Sequence, residues 1–466
     1  MTDKTVKPEK PGGFLDFGPQ EYLAREKMLG IISQTFRSFG YNPIETPFVE
    51  FTRVLTGSDE TSKNIFQVKS RNSQNEDSMS LRFDHTVPLA RFLSANPYNQ
   101  KEKSGIKLPW RRMVVGPVFR ADSPQKGRYR QFYQFDVDIA GCPLMLADAE
   151  IVSVIYATFK ALGLERFIIK INNRKILNGL TALLDINGRE RVTSEEINRE
   201  IMRILDKIPK IGLEAAISEL TREAENEFDP APQLDENGLK KLRQYLSLSG
   251  GNQEKLGQAK RLFSGIPIAS EGLDELAQIL SYLDASQIPE SSVKIDLSIA
   301  RGLDYYTGPV FESFLLDAPE FGSVFSGGRY NGLVSRFTGQ ELPAVGASIG
   351  VDRLFSALQH LGNLGSQGLT VAQMLILRLA SDQDTFYLRL AGALRKAGFR
   401  VELSLMEDTT FKSQFSFAIN QGVNFAVIAG TEEISRQVVQ VKNLSNRLQE
   451  EIPVSKLIDY FSEILI

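Results

Sequence analysis

The feature that most constrains this chain is a change of periodicity that later reverses. From Asn42 to about Asp148 the sequence reads as strands and turns, punctuated by Pro43, Pro47, Pro88, Pro109, Pro117 and Pro124, which leaves room for few long helices. Residues from about 175 to 288 carry helical patterning instead. The stretch TSEEINREIMRILDKIP sets a capping box at Thr193 and Glu196, then puts Ile197, Ile201, Ile204, Leu205 and Ile208 on one face. Strand alternation resumes in VKIDLSIARGLDYYTGPVFESFLL. A chain of 466 residues is too long for one core. The pattern therefore predicts a first domain over 1–174 and 289–360, interrupted by a helical insertion at 175–288. Helices are expected at Pro19–Phe39 and from Asp148 to Gly163. LGNLGSQGLT, 361–370, reads as a linker. Beyond it, over 371–466, strands such as AQMLILRL and NFAVIAG alternate with helices at Asp384–Ala397 and Thr410–Gln421, which predicts a mainly parallel sheet covered by helices.

Composition narrows the function classes. A net charge of −3 and a pI near 5.8 give no global nucleic-acid footprint, so an anionic partner must be met by local basic patches. The single cysteine, Cys142, rules out an intramolecular disulfide and fits a reducing, cytosolic setting. Only His85 and His360 are histidines, so neither a Ser-His-Asp arrangement nor a His-rich metal site is expected. The opening MTDKTVKPEKPGGF has no apolar core of a signal peptide, and no run of about eighteen apolar residues predicts a membrane span.

One local basic patch stands out. VGPVFRADSPQKGRYRQFYQF, Val115–Phe135, gathers Arg120, Lys126, Arg128 and Arg130 around a Pro/Gly turn, interleaved with five aromatic rings. Taken as a strand, its second half puts Phe132, Gln134, Asp136 and Asp138 on one face, and Tyr133, Phe135, Val137 and Ile139 on the core face. A ring can stack on a base, and arginines can grip phosphates. A solvated basic turn between two strands is the plainer alternative. LRFDHT, 81–86, read as a strand, puts Arg82, Asp84 and Thr86 on one face and turns His85 away, toward a packing role.

These residues resemble the signatures of class II aminoacyl-tRNA synthetases. FRAD, with its loop and Phe132, resembles the second signature; GASIGVDRLF, Gly346–Phe355, the third; and GYNPIETPFVE, with Pro47, the first. Asp122 and Asp352 stand where the class more often carries Glu. ARGLDYYTGPVFE (300–312) and FSGGRYNGL (325–333) resemble the two peptides peculiar to histidyl-tRNA synthetases.

The resemblance implies an α+β class II catalytic domain, an antiparallel sheet flanked by helices, with a helical insertion and a C-terminal α/β anticodon-binding domain. It implies ATP-dependent attachment of histidine to histidine tRNA by a cytoplasmic homodimer, with Mg²⁺ arriving on the ATP. By resemblance, Asp84, Thr86 and Gln134 hold the histidine ammonium. Asp138, Tyr306 and Tyr330 face the imidazole, and Tyr305 is a further histidine-binding residue. Arg120 and Arg301 hold carboxylate and α-phosphate and are the catalytic pair. Asp122, Arg128, Phe132 and Arg353 complete the ATP site. The insertion is expected to touch the acceptor arm or only to pack. Editing is not expected, because a polar side chain read by buried hydrogen bonds can be selected about 10⁴–10⁵-fold without it. In the last module Lys412, Gln414, Glu432, Glu433 and Arg436 are candidate contacts. The rival readings are a histidine-binding regulatory subunit of ATP phosphoribosyltransferase, which lacks the C-terminal module, a synthetase of the same class for another amino acid, and an RNA-binding accessory protein.

Overall fold

The computed structural model describes residues 6–56, 64–69, 78–123, 129–299, 305–364 and 368–465. It divides into two compact units, one of residues up to Leu15 with Met28–Asn363, the other of Asp16–Lys27 with Leu364–Ile466.

The strands of the first unit are β1 (Asn42–Pro43), β2 (Val49–Phe51), β3 (Gln67–Val68), β4 (Met79–Leu81), β5 (Trp110–Phe119), β6 (Gln131–Ala140), β7 (Phe167–Asn173), β8 (Val293–Ile295), β9 (Pro309–Leu315), β10 (Ser323–Tyr330) and β11 (Ala344–Gly350). Eight of them form one sheet in the order β1-β5-β6-β11-β10-β9-β7-β8. The six inner strands pair antiparallel, and only the short edge strands β1 and β8 pair parallel. A small sheet, β2-β4-β3, lies apart from it in hydrogen bonding. The interruption predicted from periodicity has a simple structural meaning: β7 precedes the helical run and β8 and β9 follow it, yet all three are neighbours in one sheet.

Between β7 and β8 lie six helices, Arg174–Leu183, Ser194–Ile211, Leu213–Thr221, Glu236–Leu246, Asn252–Leu262 and Pro267–Ala285. The capping box forms as read: Thr193 Oγ1 accepts from the Glu196 N–H, and Glu196 Oε2 accepts from the Thr193 N–H at 2.8 Å. Ile197, Ile201, Ile204 and Leu205 are buried along one face. Gly212, at φ +82°, ends that helix where a side chain would be strained.

Two local readings are corrected. The strand read over 81–86 stops at Leu81, and a helix runs Thr86–Ala95. Pro88 does not prevent it, because in the first turn its missing N–H would have no intrahelical partner anyway. The strand alternation read through 293–316 holds two strands, β8 at Val293–Ile295 and β9 at Pro309–Leu315.

The second unit holds β12 (Met374–Arg378), β13 (Val401–Leu403), β14 (Phe425–Ala429), β15 (Val438–Asn443) and β16 (Gln449–Pro453), in the order β13-β12-β14-β15-β16. The first three are parallel, as expected, and the last two pair antiparallel. Helices Asp384–Lys396 and Phe411–Gln421 sit at the positions read from sequence, each followed by a positive-φ glycine, Gly398 and Gly422.

Thr193→Ala removes one half of the capping box. We expect a loss of about 1 kcal/mol in local helix stability, read as roughly fivefold faster amide exchange in the first turn after Thr193.

Candidate active site

The cavity lies on the sheet over β6, β11, β10 and β9 and encloses about 590 Å³. Strand β6 supplies one wall by simple alternation. Phe132, Gln134, Asp136 and Asp138 line the cavity, while Phe135, Val137 and Ile139 are buried in the core. That is the face assignment read from the sequence.

Asp84 and Thr86 reach the cavity differently from the reading. Asp84 precedes the helix Thr86–Ala95, and its Oδ1 accepts from the N–H groups of Thr86 and Val87, both at 3.1 Å. The carboxylate thus caps the helix and lines the cavity at once. Arg82 does not share that face. Its guanidinium is buried, with Nε on the Pro117 carbonyl and Nη1 on the Thr46 carbonyl. His85 packs, as expected. It is buried with Nε2 3.3 Å from the Gly116 carbonyl, and burial, then Arg82 and Arg112, pulls its imidazole down to about 3.

Arg120 sits between two rings, its guanidinium 4.2 Å from the Phe83 centroid and 5.1 Å from that of Phe132, where cation–π attraction holds it. Tyr305, Tyr306 and Tyr330 form a ring cluster, with centroids 4.9 Å apart for Tyr305–Tyr306 and 5.8 Å for Tyr305–Tyr330. Burial pushes all three phenols above their ordinary range, so they stay protonated donors at neutral pH. Tyr330 Oη donates to Asp138 Oδ1 at 2.6 Å. Asp122 and Arg353 also line the cavity, and Arg353 Nη1 donates to the Ser323 carbonyl at 2.7 Å. The cavity therefore collects Asp84, Thr86, Arg120, Asp122, Phe132, Gln134, Asp138, Tyr305, Tyr306, Tyr330 and Arg353. Arg128 and Arg301 lie outside the described residues, as does Lys126.

Several participants carried no role in the sequence reading. Asp352 lines the cavity and accepts from the Tyr133 N–H at 2.7 Å, tying its helix to β6. Ser348 accepts from Gln134 Nε2 at 2.7 Å. Asp136 was on the predicted face but unassigned. Arg112, buried on the neighbouring strand β5, pairs with Asp138 at 2.7 Å. Its only sequence signal was its place as the second of two adjacent arginines in the otherwise apolar strand WRRMVVGPVF. Gly346 makes room for a side chain, since a Cβ there would lie 2.0 Å from Asp138 Oδ1.

In the second unit the candidate contacts separate. Gln414 is buried, its Nε2 on the Arg378 carbonyl at 2.7 Å and its Oε1 accepting from the Arg378 N–H, so it is spent on the fold. Glu433 accepts from the Gly430 N–H at 2.9 Å, and Arg436 pairs with Glu451 at 2.6 Å. Lys412 and Glu432 are exposed.

Burial raises the Asp136 carboxyl to about 7, against the pull of Arg112 and with the help of Asp138. An unfolded aspartate ionises near pH 4, so from about pH 4 to 7 the folded chain keeps a proton that the unfolded chain has released. The linked stability is present below about pH 4 and lost as pH rises through 7, at up to about 1.4 kcal/mol per unit. Asp136→Asn is expected to flatten this slope in denaturant unfolding followed across that window.

Comparison with known proteins agrees with this geometry. The family model for histidyl-tRNA synthetase matches residues 13–354, and that for an anticodon binding domain matches 373–464. A histidine–tRNA ligase of Clostridium tetani is 35% identical over 462 residues, covering 98% of this chain and 99% of its own. One from Wolinella succinogenes is 38% identical over 442 residues, 94% of each. The crystal structure of histidyl-tRNA synthetase from Nostoc sp. PCC 7120 superposes with a TM-score of 0.82 at 31% identity, over 99% of this chain and 100% of that one. Matched along both units by sequence and by fold, the chain belongs to the histidyl-tRNA synthetase family.

Proposed function

We propose that this protein is a histidine–tRNA ligase: it activates histidine with ATP as histidyl-adenylate and passes the histidyl group to histidine tRNA. The observation that carries the reading is the convergence, in one cavity, of acceptors for an ammonium and an imidazole with a ring-held arginine. Histidine's ammonium needs acceptors, and its neutral ring offers one N–H donor and one acceptor nitrogen. Asp84, Thr86 and Gln134 take the ammonium end. Asp138, Tyr305, Tyr306 and Tyr330 take the ring.

The carboxylate of histidine is ionised at neutral pH, so its attack on the α-phosphate needs no protein base. Positioning and charge stabilisation do the work. Arg120 holds the carboxylate and α-phosphate from one side, its guanidinium oriented by Phe83 and Phe132. Arg301 holds them from the other. Phe132 stacks on adenine, Asp122 takes part in nucleotide binding, and Arg128 and Arg353 hold the outer phosphates. Magnesium comes with the ATP as part of the substrate. In the second step the terminal ribose hydroxyl of the tRNA attacks the adenylate, while the second unit binds the anticodon. Large exposed apolar side chains beside Pro47, at Phe48, Val49 and Phe51, support a homodimer face there. The lone cysteine, and the absence among the described residues of a helix long and apolar enough to cross a membrane, support a cytoplasmic setting. The C-terminal module weighs against a regulatory subunit of ATP phosphoribosyltransferase.

ATP–pyrophosphate exchange with each of the twenty amino acids, without tRNA, tests the reading. Exchange with histidine alone is expected; exchange with another amino acid refutes the assigned pocket. Arg120→Ala and Arg301→Ala are each expected to slow exchange by about 10²–10³-fold, and near-normal turnover would remove that arginine from the mechanism.

A further inference from the structure

We infer that Arg112 is a positioning residue for histidine recognition: from the neighbouring strand β5, its guanidinium holds the Asp138 carboxylate ionised and in place to accept the imidazole N–H. The inference rests on the proposed function and extends it to a residue outside the cavity lining.

The geometry is direct. Arg112 on β5 and Asp138 on β6 are register partners, and Arg112 Nη2 lies 2.7 Å from Asp138 Oδ2. Arg112 is 1% exposed and Asp138 is 3% exposed. Tyr330, from β10, holds the other oxygen, Oδ1. Each carboxylate oxygen thus has one internal partner and a second lone pair to offer a ligand. Arg112 Nη2 also lies 3.3 Å from the His85 carbonyl, next to Asp84. One guanidinium therefore bridges Asp138 and the backbone next to Asp84.

The charge balance shows why Asp138 needs it. Asp138 interacts with Arg112 of β5, Asp136 of its own strand, Tyr330 of β10, Asp84 before the helix Thr86–Ala95, Tyr306 and Tyr41; Gly346 of β11 brings no charge. Burial pushes its carboxyl above the ordinary range, Arg112 is the largest opposing influence, and Asp84 adds to the burden. Loss of Arg112 would therefore favour the protonated acid, which is a poorer acceptor for an N–H. Stability alone is a weak reason for such a pair. Buried ion pairs are often no more stable than apolar residues of similar size, whereas one partner without the other is strongly unfavourable.

The test uses the full chain and its Arg112→Met, Arg112→Lys and Asp138→Asn variants, with histidine-dependent ATP–pyrophosphate exchange from pH 6 to 9. Arg112→Met is expected to raise KM for histidine by about 10- to 100-fold at pH 7, with KM for ATP nearly unchanged. The penalty relative to wild type should shrink as pH rises and Asp138 regains its charge; titration of free histidine cancels in that ratio. Asp138→Asn should give a penalty that pH does not relieve, and Arg112→Lys should restore most of the affinity. A pH-independent loss in Arg112→Met, or equal losses in kcat and both KM values, would overturn the inference. Should Arg112→Met not fold, an Asp138→Asn enzyme with wild-type KM for histidine overturns it just as well. Absence of histidine-dependent exchange in the wild-type chain would refute the parent reading, and this inference with it.

Discussion

The site depends on how closely β6, β11 and β10 approach one another. A Cβ at Gly327 would lie 2.1 Å from the Gly346 carbonyl oxygen, and one at Gly346 would lie 2.0 Å from Asp138 Oδ1. Only bare backbone fits at either place. Because it fits, Asp138 on β6 and Tyr330 on β10 meet across the intervening strand and share a hydrogen bond. The same crowding turns an ordinary antiparallel sheet into a floor on which buried carboxyl groups can be held at fixed points.

Holding them there is electrostatically costly, and the structure offsets the cost with interactions from several directions. Asp84 is held by two backbone N–H groups at a helix start, Asp138 by a guanidinium and a phenol, and Asp136 mainly by retaining its proton. A second buried pair, Arg329 with Asp148, fastens β10 to the helix Met145–Ala161, with Arg329 Nη1 also on the Cys142 carbonyl. Arg329 and Tyr330 are adjacent in the SGGRY stretch. One is spent on anchoring the strand, the other on facing the cavity.

Much of this was legible in advance because it is local. The two-residue alternation of β6 told which of its side chains share the cavity, and the 3.6-residue pattern with its capping box located the helix from Ser194 to Ile211. The misreading of 81–86 is instructive. Arg82, Asp84 and Thr86 alternate as a strand would, but an acid two residues before a helix start is equally a cap, and only the backbone conformation separates the two. Gln414 looked like a surface contact because a glutamine on a helix usually is one. Its burial depends on the end of β12 at Arg378, far away in sequence, which no local pattern encodes.

By itself, then, the sequence determined the segmentation into strands and helices, the interruption of one sheet by a helical run, the face of β6 that carries chemistry, and, through motif resemblance, the family. Those properties arise from periodicity and short-range preference, which act over a few residues. Tertiary structure decided which residues meet. The pairing of Arg112 with Asp138, the capping of a helix by a cavity-lining carboxylate, the shift in Asp136 and the space left by Gly346 all depend on strand register and burial. Those are settled only when segments far apart in sequence exclude water together, and no single segment carries them.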